Sequence, residues 1–396
     1  MLRKSTITLY LAIGLIISLI VSKQVQDSSL NRINVVSAIG IDKSKRGYIA
    51  SVQIYNPSSI VKDGSGEQSA YTYSAQGKTI PEAIDRIHEK LGREIYLDNT
   101  EVVVIGESLV KTEEISSFTH YFMRESKLPA NIRFVISKGA KVDKLLQIVT
   151  PVQKVSGSKL TEMLNRKRES WGKLPNITSN KIKEMLNKNR TELTIPYITI
   201  KGLSSKGTSK ENIEKSSPNA LLAMEGFAVF KNQRFSYWLS SRESNLLALT
   251  RSKIHDITLV TKCRKQPGYV TWKDVRSKPV IRLQYNKGGP SFLLQLQMKG
   301  KLSDVSCKMD TSTVQAIAVL EHNAEHDLQK KINQLITKTQ NKKTDIEGFG
   351  EVLYRKQPDR WNRIKNNWDT AYSTVQIRTK VKFDLIDVGE ISSSLK

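Results

Sequence analysis

The residue pattern with the sharpest chemical meaning is His322-Asn323-Ala324-Glu325-His326. H-x-x-E-H is an inverted zinc-peptidase motif: two imidazoles at i and i+4 on a helix can hold one metal while the Glu acts as base. Spacing alone does not make a site. Ala324 falls on the apolar stripe of its helix, and at about 100° per residue both histidines point about 160° away from it. They face water, and no third ligand is marked. We read the trio as a solvated polar face and keep a cell-envelope metallohydrolase using His322, Glu325 and His326 as an alternative. His88, His120 and His255 stand alone. Ser156-Gly157-Ser158-Lys159 fits S-x-x-K without a companion motif. There is no G-x-S-x-G, and Gly77-Lys78-Thr79 lacks the first glycine of a phosphate loop. The expectation is a non-enzymatic chain with no catalytic residue, metal or cofactor assigned. Cys263 and Cys307 exclude a disulfide-dense scaffold and leave one bridge or two free thiols open.

Composition points to partners. The 396 residues hold 63 Lys+Arg against 38 Asp+Glu, a formal charge of +25, with 38% hydrophobic residues. That permits a packed core and excludes a disordered or polytopic membrane chain. The charge fits an anionic membrane surface or another polyanion. The basic residues are dispersed rather than gathered with aromatics, so nucleic acid is not expected, and a membrane-tethered polyanion binder is a further alternative.

The amino terminus sets the compartment. Arg3 and Lys4 precede an uncharged run, Ser5 to Ser22, of 18 residues. That just reaches membrane-spanning length. Ile20-Val21-Ser22 fits a signal-peptidase site poorly, so residues 1–24 read as an uncleaved anchor, with a cleaved signal as the competing reading. The basic start stays in the cytoplasm, and the bulk lies on the far side beside anionic lipid.

Along the chain, Asn34–Asp42 and Tyr48–Asn56 read as a hairpin, with Ala50, Val52 and Ile54 on one face and Ser51 and Gln53 on the other. Thr79 to Leu91 reads as a helix with Thr79 as N-cap, Pro81 in its first turn and Gly92 at its end. Val102–Ile105 and Ile132–Ile136 are strands around a helical stretch, which implies an α/β domain. Residues 141–190 are helical and basic, and Thr194–Ile200 is a strand. Residues 203–219, rich in Gly, Ser and Lys, read as a linker or exposed loop between regions 25–202 and 220–393. The second region restarts with the hairpin Met224–Phe230 and Phe235–Leu239, a short helix and four strands. A long helix from about Thr313 to Thr339 follows, its stripe Ala324, Leu328, Ile332, Leu335 and Ile336.

The carboxy-terminal block is the most informative. Thr344-Asp345-Ile346-Glu347 has the form of a capping box that opens a helix. Gly348 and Gly350 inside that helix imply close approach by another element. Pro358 suits the first turn of a further helix, and Trp361, Ile364 and Trp368 share one face. Trp361 and Trp368 read as core rather than as a stacking platform. Val375 to Ile386 alternates as a final strand.

This block resembles the closing signature of the Ger(x)C family, the C subunits of nutrient germinant receptors of endospore-forming bacteria. The matching positions are Asp345, Ile346, Gly348, Phe349, Gly350, Pro358 and Trp361, followed by Asn367-Trp368-Asp369. Leu30-Asn31, Ala38-Ile39-Gly40-Ile41-Asp42, Val52-Gln53-Ile54 and Gly226-Phe227-Ala228-Val229-Phe230 are similar to other family segments, so the resemblance covers roughly residues 28–390. It implies a mixed α/β (α+β) fold of about three compact domains behind the membrane anchor. It also implies a non-enzymatic subunit that works with a polytopic A subunit and a transporter-like B subunit in the spore inner membrane. Asp345, Gly348, Phe349, Gly350, Pro358, Trp361, Trp368, Gly40 and Asp42 become its structural or interaction residues. One departure stands out. The family's lipid-modified Cys falls near Gln24, so a diacylglyceryl anchor is absent and the uncleaved segment must hold the chain.

Overall fold

A computed structural model describes residues 33–56, 68–188, 190–264, 266–286, 289–309, 311 and 313–387. The expected anchor, residues 1–24, lies outside them. Among the described residues no helix is long and apolar enough to cross a membrane.

The chain is mixed α and β. The first part runs β1 (Ile33–Ser44), β2 (Gly47–Tyr55), β3 (Ala70–Gly77), α1 (Ile80–Leu91), β4 (Glu94–Tyr96), β5 (Val102–Gly106), α2 (Glu107–Thr112), α3 (Ile115–Arg124) and β6 (Arg133–Ser137). Then come α4 (Val142–Leu146), α5 (Ser156–Trp171), α6 (Ser179–Lys188), β7 (Thr194–Gly202), α7 (Glu211–Glu214), β8 (Ala220–Lys231), β9 (Arg234–Trp238) and α8 (Ser241–Arg251). These strands form one sheet in the order β3-β2-β1-β5-β6-β7-β8-β9, with β4 beside β1. The rest runs β10 (Ile254–Lys262), β11 (Tyr269–Asn286), β12 (Gly289–Val305), α9 (Val314–Asn341), α10 (Phe349–Lys356), α11 (Pro358–Ile364), α12 (Trp368–Thr374) and β13 (Gln376–Asp387). Its sheet has the order β10-β11-β12-β13.

The large sheet is covered on both faces, which is why its central strands carry little polar alternation. In β5, Val103 and Ile105 join the core under α1 and α3, while Val102 and Val104 join the core under α4, α5 and α8. The same cover buries both faces of β2, the polar one included: Ser51 and Gln53 are 1% and 3% exposed. Gln53 is made tolerable there by bonds. Its Oε1 accepts from Ser37 Oγ at 2.9 Å and Gly157 N at 2.8 Å, and its Nε2 donates to Leu146 O at 2.6 Å. α1 starts and stops as its sequence dictates: Glu82 N donates to Thr79 Oγ1, and Gly92 takes φ 62°.

Residues 203–219 are not a linker between separate sheets. β7 and β8, on either side, pair antiparallel, so the large sheet continues through residue 238. Asn212 fastens the connection: its amide donates to Val149 O and Ala220 O and accepts from Ala220 N. A Ser/Lys-rich composition hides this, because a single buried Asn carries the order.

One apolar core then passes from the large sheet into the small one, joining Trp171 and Phe227 to Trp272, Leu294, Leu328 and Phe383. α9 lays Leu320, Ala324, Leu328, Ile332, Leu335 and Ile336 on the small sheet. It also covers the free edge of β13, a strand end that otherwise invites foreign pairing. Glu325 Oε1 accepts from Phe383 N at 3.1 Å and Glu321 Oε1 from Leu385 N at 2.7 Å. Cys263 and Cys307 form a disulfide between the ends of β10 and β12.

Candidate functional site

The carboxy-terminal block folds around a buried acid. Asp345 is 3% exposed. Its Oδ1 accepts from Gly348 N at 2.8 Å and Phe349 N at 3.0 Å. Its Oδ2 accepts from Gly350 N at 2.6 Å and Trp368 Nε1 at 3.1 Å. Burial pushes the Asp345 carboxyl up, and these four donors pull it back. Asp345 therefore supplies the acceptors for the open amides at the start of α10. The expected Thr344 capping box is corrected. The helix begins four residues later than that box requires, with Gly348 as N-cap at φ 88°, a left-handed conformation that suits glycine. Thr344 instead shares a hydrogen bond with Tyr237 Oη at 2.8 Å.

Gly350 is where elements meet. A Cβ there would sit 2.7 Å from Arg190 O, 2.8 Å from Trp368 Nε1 and 3.0 Å from Trp361. Phe349, Trp361 and Trp368 close a small core with Phe292, Leu353 and Tyr372. Trp361 and Trp368 meet edge-on at 5.5 Å, and Phe292 lies 5.2 Å from Phe349. Pro358 opens α11 from the exposed side. The block thus ties the two sheets together. Phe292 belongs to the small sheet. From the large-sheet side, Glu192 N donates to Asp345 O at 2.9 Å, Lys231 pairs with Asp369 at 3.2 Å, and Arg190 stacks on Tyr354.

Glu347 is the second buried acid, 3% exposed. It accepts from Tyr372 Oη at 3.0 Å and Thr339 Oγ1 at 3.3 Å. Burial pushes it up to about 8, the nearby Asp345 adding to the rise. Burial likewise lifts Glu192 to about 8, with Asp369 and Asp345 adding. Burial lowers the Arg251 guanidinium, against the pull of Asp345 and Glu347. Sequence reasoning missed Glu192, Arg251 and Tyr372. Glu192 and Arg251 lie far from the motif in the chain, and Tyr372, four residues beyond Trp368, carries no local signal.

Gly40 and Asp42 form a separate seat on β1. A Cβ on Gly40 would come 2.1 Å from Val142 Cγ1, so the glycine lets α4 rest on the sheet. Asp42 Oδ2 accepts from Val142 N at 2.8 Å and fixes the start of that helix. Burial raises Asp42 to about 6.

The histidine motif is not assembled as a metal centre. Among the described residues no group of three His, Cys, Asp or Glu side chains converges on a metal position. His322 and His326 are exposed, while Glu325 is committed to the β13 edge and to Lys382 at 3.2 Å. A base already bonded to a backbone amide and an ammonium is poorly placed to activate water.

Comparison with known proteins gives the family. The sequence profile described as "Spore germination protein N-terminal domain" matches residues 26–200, and that described as "Spore germination B3/GerAC like, C-terminal" matches residues 225–389. The chain is 28% identical over 374 residues to spore germination protein KC of Bacillus subtilis (strain 168), covering 91% of each. It is 22% identical to spore germination protein B3 of the same organism, over 91% of this chain and 93% of that one. The crystal structure of the GerBC protein superposes with a TM-score of 0.55 at 17% identity, over 88% of this chain and 96% of that one, a likeness of fold. The two profiles leave residues 201–224 between them, the segment across which the large sheet is continuous. By both profiles, in order and over most of its length, the chain belongs to the GerAC-like family of spore germination proteins.

Proposed function

We propose that the chain is the non-enzymatic, membrane-held C subunit of a nutrient germinant receptor. It scaffolds or tunes a polytopic A subunit and a transporter-like B subunit at the spore inner membrane. The observation that carries this reading is the ordered pair of family matches, 26–200 and 225–389, on one continuous fold. Other features support it. The apolar run from Ser5 to Ser22 is long enough to span a bilayer. The single disulfide suits a compartment outside the cytoplasm. The positive charge suits anionic lipid beside the anchored body.

The test is isolation of the tagged full chain from spore inner membranes in mild detergent. A polytopic subunit and a ten-to-twelve-span transporter-like protein should co-elute, and loss of the chain should abolish one nutrient response. A chain that elutes alone from spores with an unaltered response sinks the reading. Deletion of Leu2 to Ser22 should release the protein into the soluble fraction; retention in high salt means that another anchor or a partner holds it.

A further inference from the structure

The small sheet has one face in the core and one in water. On the wet face the register of β11, β12 and β13 sets side chains in rows. Arg276 lies opposite Lys299, and Lys278 opposite Gln297, which is itself opposite Lys382. The next row is Val280, Gln295 and Lys380, and the next Arg282, Leu293 and Arg378. The alternate positions Phe292, Leu294, Leu296 and Met298 are buried, which fixes the outward direction of these rows. All the basic residues in the rows are exposed. The rows contain seven cations, and Asp384, beside Lys299, is the carboxylate in register with them. Among the described residues only Lys382 of the seven forms an ion pair, with Glu325 at 3.2 Å and Asp384 at 3.9 Å.

Like charges set side by side on a sheet repel, so the face lowers the stability of the isolated chain. A polyanionic surface reverses that sign. We propose that this face lies against anionic phospholipid headgroups. The inference rests on the reading that the chain is held at a membrane, and it names the surface that meets the lipid. A broad sheet face presents its cations across three strands to a planar layer of charge. Between them sit Gln295, Gln297, Leu293 and Val280, the last 39% exposed, rather than the aromatic rings that single-stranded nucleic acid stacks on. On the proposed reading the apolar run Ser5 to Ser22 is the anchor, and it would keep the body near the headgroups.

The experiment reconstitutes the full chain into vesicles of pure phosphatidylcholine or of phosphatidylcholine with an equal part of phosphatidylglycerol. Lysines are then labelled with a water-soluble acylating ester and read by mass spectrometry. Lys278, Lys299 and Lys380 should react about five-fold more slowly on the anionic vesicles, the protection expected of a basic side chain seated at such a surface. Lys45, in the β1–β2 turn, and Lys78, just past β3, are exposed at the large sheet and should react equally on both. Equal rates at the sheet lysines overturn the proposal while a chain that still sediments with vesicles leaves the tether reading intact. A chain that sediments with neither vesicle overturns both. The variant Arg282→Gln/Arg378→Gln/Lys380→Gln should lose protection at Lys278 and Lys299. The variant Lys45→Gln/Arg46→Gln/Lys78→Gln removes the same charge elsewhere and should keep it; equal loss in both variants ends the claim for this face. Protection by duplex DNA but not by phosphatidylglycerol assigns the face to nucleic acid and overturns the lipid proposal.

Discussion

Asp345 receives the indole N–H of Trp368 at 3.1 Å, across 23 positions of chain. Three backbone amides converge on the same carboxylate. The bond couples the start of α10 to the start of α12, so the two most recognisable letters of the block act as one unit. Asp345→Asn should therefore be severe despite its equal size, because an amide NH2 must face donors that already point inward. We expect a loss of about 3 kcal/mol in urea unfolding. Trp368→Phe keeps most of the ring packing and should cost about 1–2 kcal/mol. Equal losses in the two variants would show that packing, not the acceptor, sets the stability of this corner.

The two glycines beside that carboxylate should respond differently. Gly350→Ala drives a Cβ to 2.7 Å from Arg190 O and against two tryptophans. Neither a backbone oxygen nor a packed indole moves cheaply, so a loss of about 3 kcal/mol is expected. Gly348→Ala meets only Thr191 at 3.3 Å. Its cost is the left-handed φ of 88°, about 1–2 kcal/mol, and Gly348→Asn should be milder than Gly348→Ala. Denaturant titration of the three variants checks the order.

Glu347, buried, and Glu192, partly buried, give the stability a pH dependence with a definite sign. Glu347 and Glu192 rise from an ordinary 4.5 to about 8. A raised folded value means that the native chain holds these protons more tightly. Their stabilisation is fully present below pH 4.5 and is lost as pH climbs through about 8. The urea midpoint should thus fall from pH 5 to pH 8. Glu347→Gln, which keeps an acceptor for Tyr372 and Thr339, should flatten that fall; an unchanged slope means Glu347 is ionised and paired with Arg251 throughout.

The histidine motif offers a test by reversal. His322→Ala and His326→Ala remove exposed rings and should change stability by no more than about 0.5 kcal/mol. Glu325→Ala strips the acceptor from Phe383 N at the sheet edge and should cost about 1–2 kcal/mol. A metal-binding trio predicts zinc retention that all three variants abolish, which is measurable by atomic absorption.

Local order was legible where one residue type settles it. Thr79, Pro81 and Gly92 bound α1, and the Lys231-Asn232-Gln233-Arg234 turn closes β8 onto β9, with Asn232 and Gln233 at positive φ. Pairing at a distance was not legible. β3 escapes notice because Tyr71 and Tyr73 face water, which leaves its alternation without an apolar side. β11 reads as two strands because Lys273 to Lys278 is mostly polar and Pro279 follows it, yet it is one strand that stays paired with β12 through two bulges, one of them between Lys273 and Arg276. Thr344 and Glu347 stand at capping-box spacing, but each finds a distant partner in Tyr237 or Tyr372. In each case the deciding contact lies outside the window that a local pattern can see.

Gly40 separates packing from chemistry at the first sheet. A methyl group there overlaps Val142 Cγ1 and approaches Leu146 Cδ1 at 3.3 Å, so Gly40→Ala must lift α4 and stretch the bond from Val142 N to Asp42. A loss of about 2–3 kcal/mol follows. Val142→Ala alone opens a cavity and should cost about 2 kcal/mol. In the double variant the new methyl fills the space that the valine leaves, so the combined loss should fall below the sum by at least about 1 kcal/mol, measured as a double-mutant cycle in urea. Strict additivity would mean that α4 does not rest on Gly40, and would leave the capping carboxylate of Asp42 as the whole reason for the Gly-Ile-Asp run.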